Sequence, residues 1–216
     1  MIDLPIKDSK LKSLALTHRS YLNEHRSVSE HNERLEYLGD AVLELAVTKF
    51  LFDKYPKKPE GELTALRSAM VRTTTLSTVA ATLDLGKKLK MSKGEAVSGG
   101  RENLALLANT FEAVVGSIYL DQGFESVVEF LEIHLFPLLP EIIEKGLEKD
   151  FKSTLQEMVQ AEGKPTPTYV VVSESGPDHD KEFKVTVKVG QDELASGEGK
   201  SKQLAQQAAA EAALRK

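Results

Sequence analysis

Cysteine is absent from this 216-residue chain. That excludes a disulfide, a thiolate zinc site and a cysteine nucleophile, and it fits a reducing compartment. An excess of positive charge is absent too: 28 Lys and Arg stand against 33 Asp and Glu, a net charge of −5. Phosphate contacts need cations, so a nucleic-acid role here requires a local basic face, and an acidic cluster beside phosphate requires a metal. The opening residues, MIDLPIKDSK, lack the apolar core of a signal peptide. The most apolar run, 104–120, contains Asn109 and Glu112 and is short for a bilayer. A cytoplasmic chain with no membrane partner is therefore expected. Internal repeats and low-complexity linkers are also missing, and the length suffices for one or two domains with real cores.

Apolar periodicity places helices at about 11–20, 32–55, 61–83, 101–121 and 127–143. Pro56 and Pro59 close the second, and Gly94, Gly99 and Gly100 mark a loop before the fourth. Near residue 150 the pattern changes. A short amphipathic helix over 151–161 is followed by a β-branched strand from Thr168. Phe183, Val185, Val187 and Val189 then alternate with polar residues, a half-buried strand. Gly190-Gln191-Asp192 reads as a hairpin turn into a third strand. The last helix, from Ser201, carries Ala205, Ala208, Ala209, Ala212 and Ala213 on one face, small enough to sit close on a sheet. The expected architecture is an all-α domain over 1–148 and a small α+β domain (α-β-β-β-α, strands antiparallel) over 150–216.

Within the second helix, HNERLEYLGDAVLELAV sets Glu33, Glu36 and Asp40 at spacings of three and four. Leu35, Leu38, Val42, Leu45 and Ala46 read as the buried stripe beside them. In the fourth helix, LALLANTFEAVVGSIYL, almost every residue is apolar or small except Asn109 and Glu112. A carboxylate on such a helix needs a cation or hydrogen bonds, because burying an unpaired charge is costly. The cation could be an arginine, Arg34 or Arg67, in a core ion pair. It could instead be a divalent metal held by Glu36, Asp40, Asn109 and Glu112, hard oxygen ligands that suit Mg²⁺ or Mn²⁺. The chemistry that best uses such a metal is phosphoryl transfer to an activated water.

NERLEYLGDAVLELAV resembles the signature of the ribonuclease III family, the bacterial double-stranded-RNA endonucleases. ALTHRSYLNE (15–24), EGELTALRSAMVRTTTL (60–76), KGEAVSGGRE (93–102) and ANTFEAVVGSIYLDQGF (108–124) extend the resemblance. It implies a homodimer that cuts duplex RNA in staggered fashion, leaving 5′-phosphate and 3′-hydroxyl ends with short 3′ overhangs, in processing of rRNA and mRNA precursors. It implies that Asp40 and Glu112 are catalytic and that Glu36, Asp40, Asn109 and Glu112 hold Mg²⁺, with Mn²⁺ as substitute. Glu33 matches an acid lining the cleft, and Glu60 another near the dimer interface. The family usually has Asp where this chain has Asn109. An amide keeps one oxygen ligand and loses a charge, so the alternative is a duplex-RNA binder with reduced or no cleavage.

The segment after residue 150 resembles the double-stranded-RNA-binding domain, which reads A-form shape. By that resemblance Gln156 and Glu157 face one minor groove, Pro177 and His179 a second, and Lys200, Ser201 and Lys202 the phosphates between. Lysines at a helix start oppose the macrodipole, an arrangement that makes sense with an anion bound there. Nine Lys and Arg against eleven acids over 150–216 predict a modest, salt-sensitive affinity.

Overall fold

A computed structural model describes residues 4–144, 146–147, 151–176 and 181–215. The chain folds as two compact units, Met1–Glu148 and Lys149–Lys216.

The first unit is helical. Its centre is the pair α2 (Glu33–Lys54) and α7 (Leu104–Gln122). Helix α7 is apolar and long enough to span a membrane, yet its length is spent in the core. Phe111, Val114, Val115 and Ile118 are fully buried. What lets a helix so enclosed meet its neighbour is a reciprocal pair of glycines. A Cβ on Gly39 of α2 would overlap the Glu112 carbonyl, and a Cβ on Gly116 of α7 would overlap the Leu35 carbonyl. The two backbones touch where side chains would otherwise hold them 8–10 Å apart, a common helix separation. Gly39→Ala is therefore expected to destabilise by about 2–3 kcal/mol, because a backbone cannot rotate out of the way as a side chain can. Gly61→Ala is the control. It adds a methyl to open space near the start of α3 (Glu60–Val71), and a gain of about 0.5–1 kcal/mol is expected. Urea unfolding of the two variants checks the pair.

Several sequence boundaries shift. The expected helix over 61–83 breaks at Arg72, which is extended (ψ 152°), dividing α3 from α4 (Thr73–Thr82). The Thr75 hydroxyl holds the break: it accepts from Arg72 Nε at 3.4 Å and donates to the Ala69 carbonyl at 2.8 Å. The glycine-rich stretch before α7 is not all loop. It follows α5 (Leu85–Lys88) and holds α6 (Lys93–Val97), and Arg101 Nη1 donates to the carbonyls of Gly86, Lys87 and Leu89. The first expected helix is α1 (Ser9–Ala15) followed by a separate 3-10 turn, Arg19–Asn23, with Thr17 bridged to Lys90 between them. The last is α8 (Phe124–His134), a 3-10 turn and α9 (Leu139–Glu144). On α2, Leu35, Val42 and Ala46 are buried as expected, but Leu45 is 58% exposed. The buried arc is centred on Gly39, and Leu45 lies round the helix from it.

The second unit has α10 (Phe151–Ala161), the antiparallel sheet β1 (Thr168–Ser175), β2 (Glu182–Val189), β3 (Asp192–Gly199), and α11 (Lys202–Leu214). Gly190 turns the β2–β3 hairpin with a left-handed φ of 62°. Val185, Val187, Ala205, Ala209 and Leu155 form the core. A Cβ on Gly197 would overlap the Ala209 backbone, the close helix-on-sheet packing that the alanine face implied.

Candidate metal centre and RNA-binding surface

The glycine contact that joins α2 to α7 fixes which side chains meet. Asp40 follows Gly39, Glu36 lies one turn earlier, and the Glu112 backbone packs directly against Gly39. Asn109, one turn before Glu112, donates its amide to the Glu36 carboxylate.

The electrostatics show what this proximity costs. The Glu112 carboxyl is pushed up to about 7, first by burial and then by the negative charges of Asp40 and Glu36. Burial raises Glu36 as well, with Glu33 and Asp40 adding to it and the Asn109 hydrogen bond opposing. The ion-pair alternative for Glu112 fails: Arg67 Nε pairs with Glu44 at 2.8 Å, and the charges that act on Glu112 are those of Asp40 and Glu36, not of Arg34. Among the described residues Glu112 has acids for neighbours and no cation partner.

Three carboxylates and an amide oxygen form an all-oxygen donor set with a surplus of negative charge, the chemistry that a hard divalent cation satisfies. Among the described residues no three His, Asp or Glu side chains converge as a ready ion cage. Mutual repulsion disfavours the convergence of like charges without a cation between them. The residues therefore fit a divalent ion.

The remaining acids separate. Glu33 lines a cavity of about 110 Å³ with His18, Asn32, Glu36, Leu106, Asn109 and Thr110. Its carboxylate lies 3.4 Å from Arg19 Nη1 and 3.8 Å from His31 Nδ1. Glu60 stands apart, exposed at the start of α3, where it accepts from the Thr64 hydroxyl at 3.1 Å. A larger depression of about 610 Å³ lies elsewhere on this unit, and one of about 770 Å³ shares Glu33 with the small cavity, so charge rather than size marks the site. Sequence reasoning missed His18. Burial holds its imidazole below the usual range, with Glu95 opposing.

In the second unit Gln156 and Glu157 are exposed on α10. Gln156 lines a polar cavity of about 340 Å³ with Lys152, Ser153, Tyr169, Gln203 and Gln207, joining α10 to the first turns of α11. Lys152, which the sequence did not single out, donates to Gln206 Oε1 at 2.7 Å. Ser201 caps α11, accepting from the Leu204 N–H at 3.2 Å. Lys202 sits 5.7 Å from the centre of the Phe183 ring, and Lys200 Nζ lies 2.9 Å from Glu182 Oε1. Pro177 and His179 lie outside the described residues.

Residues 8–139 match the family model described as ribonuclease-III-like, and residues 151–216 match that of the double-stranded RNA binding motif. The ribonuclease 3 of Bdellovibrio bacteriovorus is 46% identical over 209 residues, covering 96% of this chain and 89% of that protein. The ribonuclease 3 of Geobacillus kaustophilus is 47% identical over 214 residues, 99% of this chain and 87% of that one. Among solved structures, a nuclease domain of ribonuclease III from Campylobacter jejuni, described for flexibility in its dimer-forming region, superposes with a TM-score of 0.55. It is 41% identical and covers 61% of this chain and 90% of its own. A cluster of acids without a cation partner, a helical nuclease unit and a duplex-RNA-binding unit in this order lead to one conclusion: the chain belongs to the ribonuclease III family.

Proposed function

We propose that this endoribonuclease cuts double-stranded RNA with Mg²⁺, or Mn²⁺ in its place, as a cytoplasmic homodimer that processes rRNA and mRNA precursors. The observation that carries this reading is Glu112, a largely buried carboxyl pushed up to about 7 beside two further acids. A structural role gives no reason to assemble that repulsion, and a metal site does.

Glu36, Asp40, Asn109 and Glu112 would hold the ion. When bound, it supplies a Lewis acid for the scissile phosphate and lowers the pKa of a water to be used as nucleophile. The protein's own part is placement. Glu36 and Glu112 are half-buried while Asp40 stays exposed to solvent, and the Asn109 amide donates to the Glu36 carboxylate. Water adds to phosphorus and gives up a proton, the bond from phosphorus to the 3′-oxygen breaks, and that oxygen takes up a proton, so the proton count is unchanged. The products carry 5′-phosphate and 3′-hydroxyl ends. Glu33 and Glu60 would border the cleft, and staggered cuts leaving short 3′ overhangs follow from two such sites. The surface that a second copy would cover includes Tyr37, Leu45 and Phe52, which are 83, 58 and 69% exposed along α2. End-group analysis tests the chemistry: fragments that accept a 5′-phosphate-dependent ligation and resist periodate only after 3′-end blocking support it, and 3′-phosphate ends contradict it.

The second unit would hold the duplex through Gln156, Glu157, Pro177, His179, Lys200, Ser201 and Lys202. Its affinity is tuned from within, because Glu182 competes with RNA phosphate for Lys200. Glu182→Gln is expected to tighten duplex binding about 2- to 5-fold at low salt and to lose that gain as salt rises. A salt series by fluorescence anisotropy checks this.

A further inference from the structure

Glu33, Glu36 and Asn109 share their small cavity with His18, to which the reaction above gives no task. The segment that carries the imidazole is closely held. The His18 backbone N–H donates to the Lys90 carbonyl at 2.9 Å, and the Thr17 carbonyl before it accepts from the Asn32 backbone N–H at 2.9 Å. On the ring, Nδ1 accepts from the Ser20 N–H at 3.4 Å and lies 2.9 Å from Ser20 Oγ. That hydroxyl accepts from the Ser92 N–H at 3.0 Å, which leaves its own proton for Nδ1. With Nδ1 an acceptor, the ring proton belongs to Nε2.

His18 thus carries one ring N–H donor, on Nε2, and lines a cavity whose other polar walls include two carboxylates. At about 110 Å³ the cavity has room for about three or four waters, at about 30 Å³ each. A nucleobase is too large for it, and its carboxylates repel phosphate. An uncharged hydroxyl suits both walls, since it accepts from an imidazole N–H and donates to a carboxylate. RNA carries such a hydroxyl on every ribose, and DNA does not. We propose that the His18 cavity is a subsite for a ribose 2′-hydroxyl, with His18 Nε2–H donating to it and Glu33 accepting from it. Glu33 is the more exposed of the two carboxylates, and beside its 3.4 Å contact with Arg19 its oxygens keep lone pairs that can accept from the hydroxyl. The nuclease unit then distinguishes RNA from DNA by itself. This inference rests on the duplex-RNA reading above.

The test is a cycle between the full-length protein and a short duplex with a single 2′-deoxy substitution at each nucleotide flanking the cut. His18→Asn keeps an acceptor where Nδ1 stands, so the Ser20 contact survives, and offers nothing in place of Nε2–H. His18→Gln places an amide donor near Nε2. With the unsubstituted protein, one deoxy position is expected to lower kcat/KM about 10-fold, and with His18→Asn the same position is expected to cost under about 2-fold. His18→Gln restores part of the penalty. Anisotropy binding of the same duplexes in EDTA shows the same coupling without catalysis. Deoxy penalties that are equal in both proteins at every position overturn the subsite. If the unsubstituted protein binds every duplex and cuts none, the endonuclease reading fails instead, and the EDTA binding cycle alone decides the subsite.

Discussion

Glu112→Gln is expected to abolish metal-dependent cleavage and, in EDTA at pH 8, to make the protein more stable. The sign follows from the raised carboxyl. Glu112 ionises near its ordinary 4.5 when the chain is unfolded and at about 7 when it is folded. The neutral folded form is favoured below 4.5, and that advantage drains away as pH rises through 7. Above 7 the folded protein carries a third negative charge beside Asp40 and Glu36. Glutamine has the same shape and no charge to lose. With the shift discounted for the partial exposure of the group, the variant should gain about 1–2 kcal/mol at pH 8, or about 2–8 °C in Tm. Below pH 4.5 the two proteins should melt together. Millimolar Mg²⁺ should close the gap at pH 8 by stabilising only the protein that binds it. Melting curves across this pH range, with and without Mg²⁺, read all three effects. Equal melting at pH 8 in EDTA would remove the electrostatic case for a metal site.

Asn109→Asp should move both properties the other way. The substitution adds a negative charge to the oxygen donors, so cleavage should rise and the Mg²⁺ concentration for half-maximal rate should fall about 10-fold. In EDTA the variant should be less stable, because a hydrogen bond to Glu36 becomes a fourth repelling carboxylate. Titrating Mg²⁺ against the initial rate of duplex cleavage checks the first effect, and EDTA melts check the second. A rate and metal requirement unchanged by the substitution would show that the side chain at 109 is no ligand. The binder alternative would then have lost its one support.

The acids of α2 and α7 were legible because they interrupt long apolar patterns, and an interruption in a buried helix stands out in a linear string. The second unit was legible for the same reason: the alternation of β2 and the alanine face of α11 are local signals. What escaped the sequence depends on pairs far apart in it. Gly39 and Gly116 look ordinary one at a time, and only their mutual contact explains how Glu112 reaches Asp40. His18 comes to the acids through the bridge from Thr17 to Lys90, a long-range link without periodicity. Leu45 fits an apolar helix pattern, yet it lies outside the arc centred on Gly39. Arg72 breaks a helix with neither glycine nor proline to announce it, because the stop is a hydroxyl from Thr75.

The central claim is that these acids hold a divalent ion which cuts duplex RNA. Its most direct test is incubation of a long duplex RNA with the protein in Mg²⁺ and in EDTA, with binding followed in parallel. The expected result is cleavage in Mg²⁺ and binding without cleavage in EDTA. Binding without cleavage at every Mg²⁺ and Mn²⁺ concentration, in this protein and in Asn109→Asp alike, would contradict it.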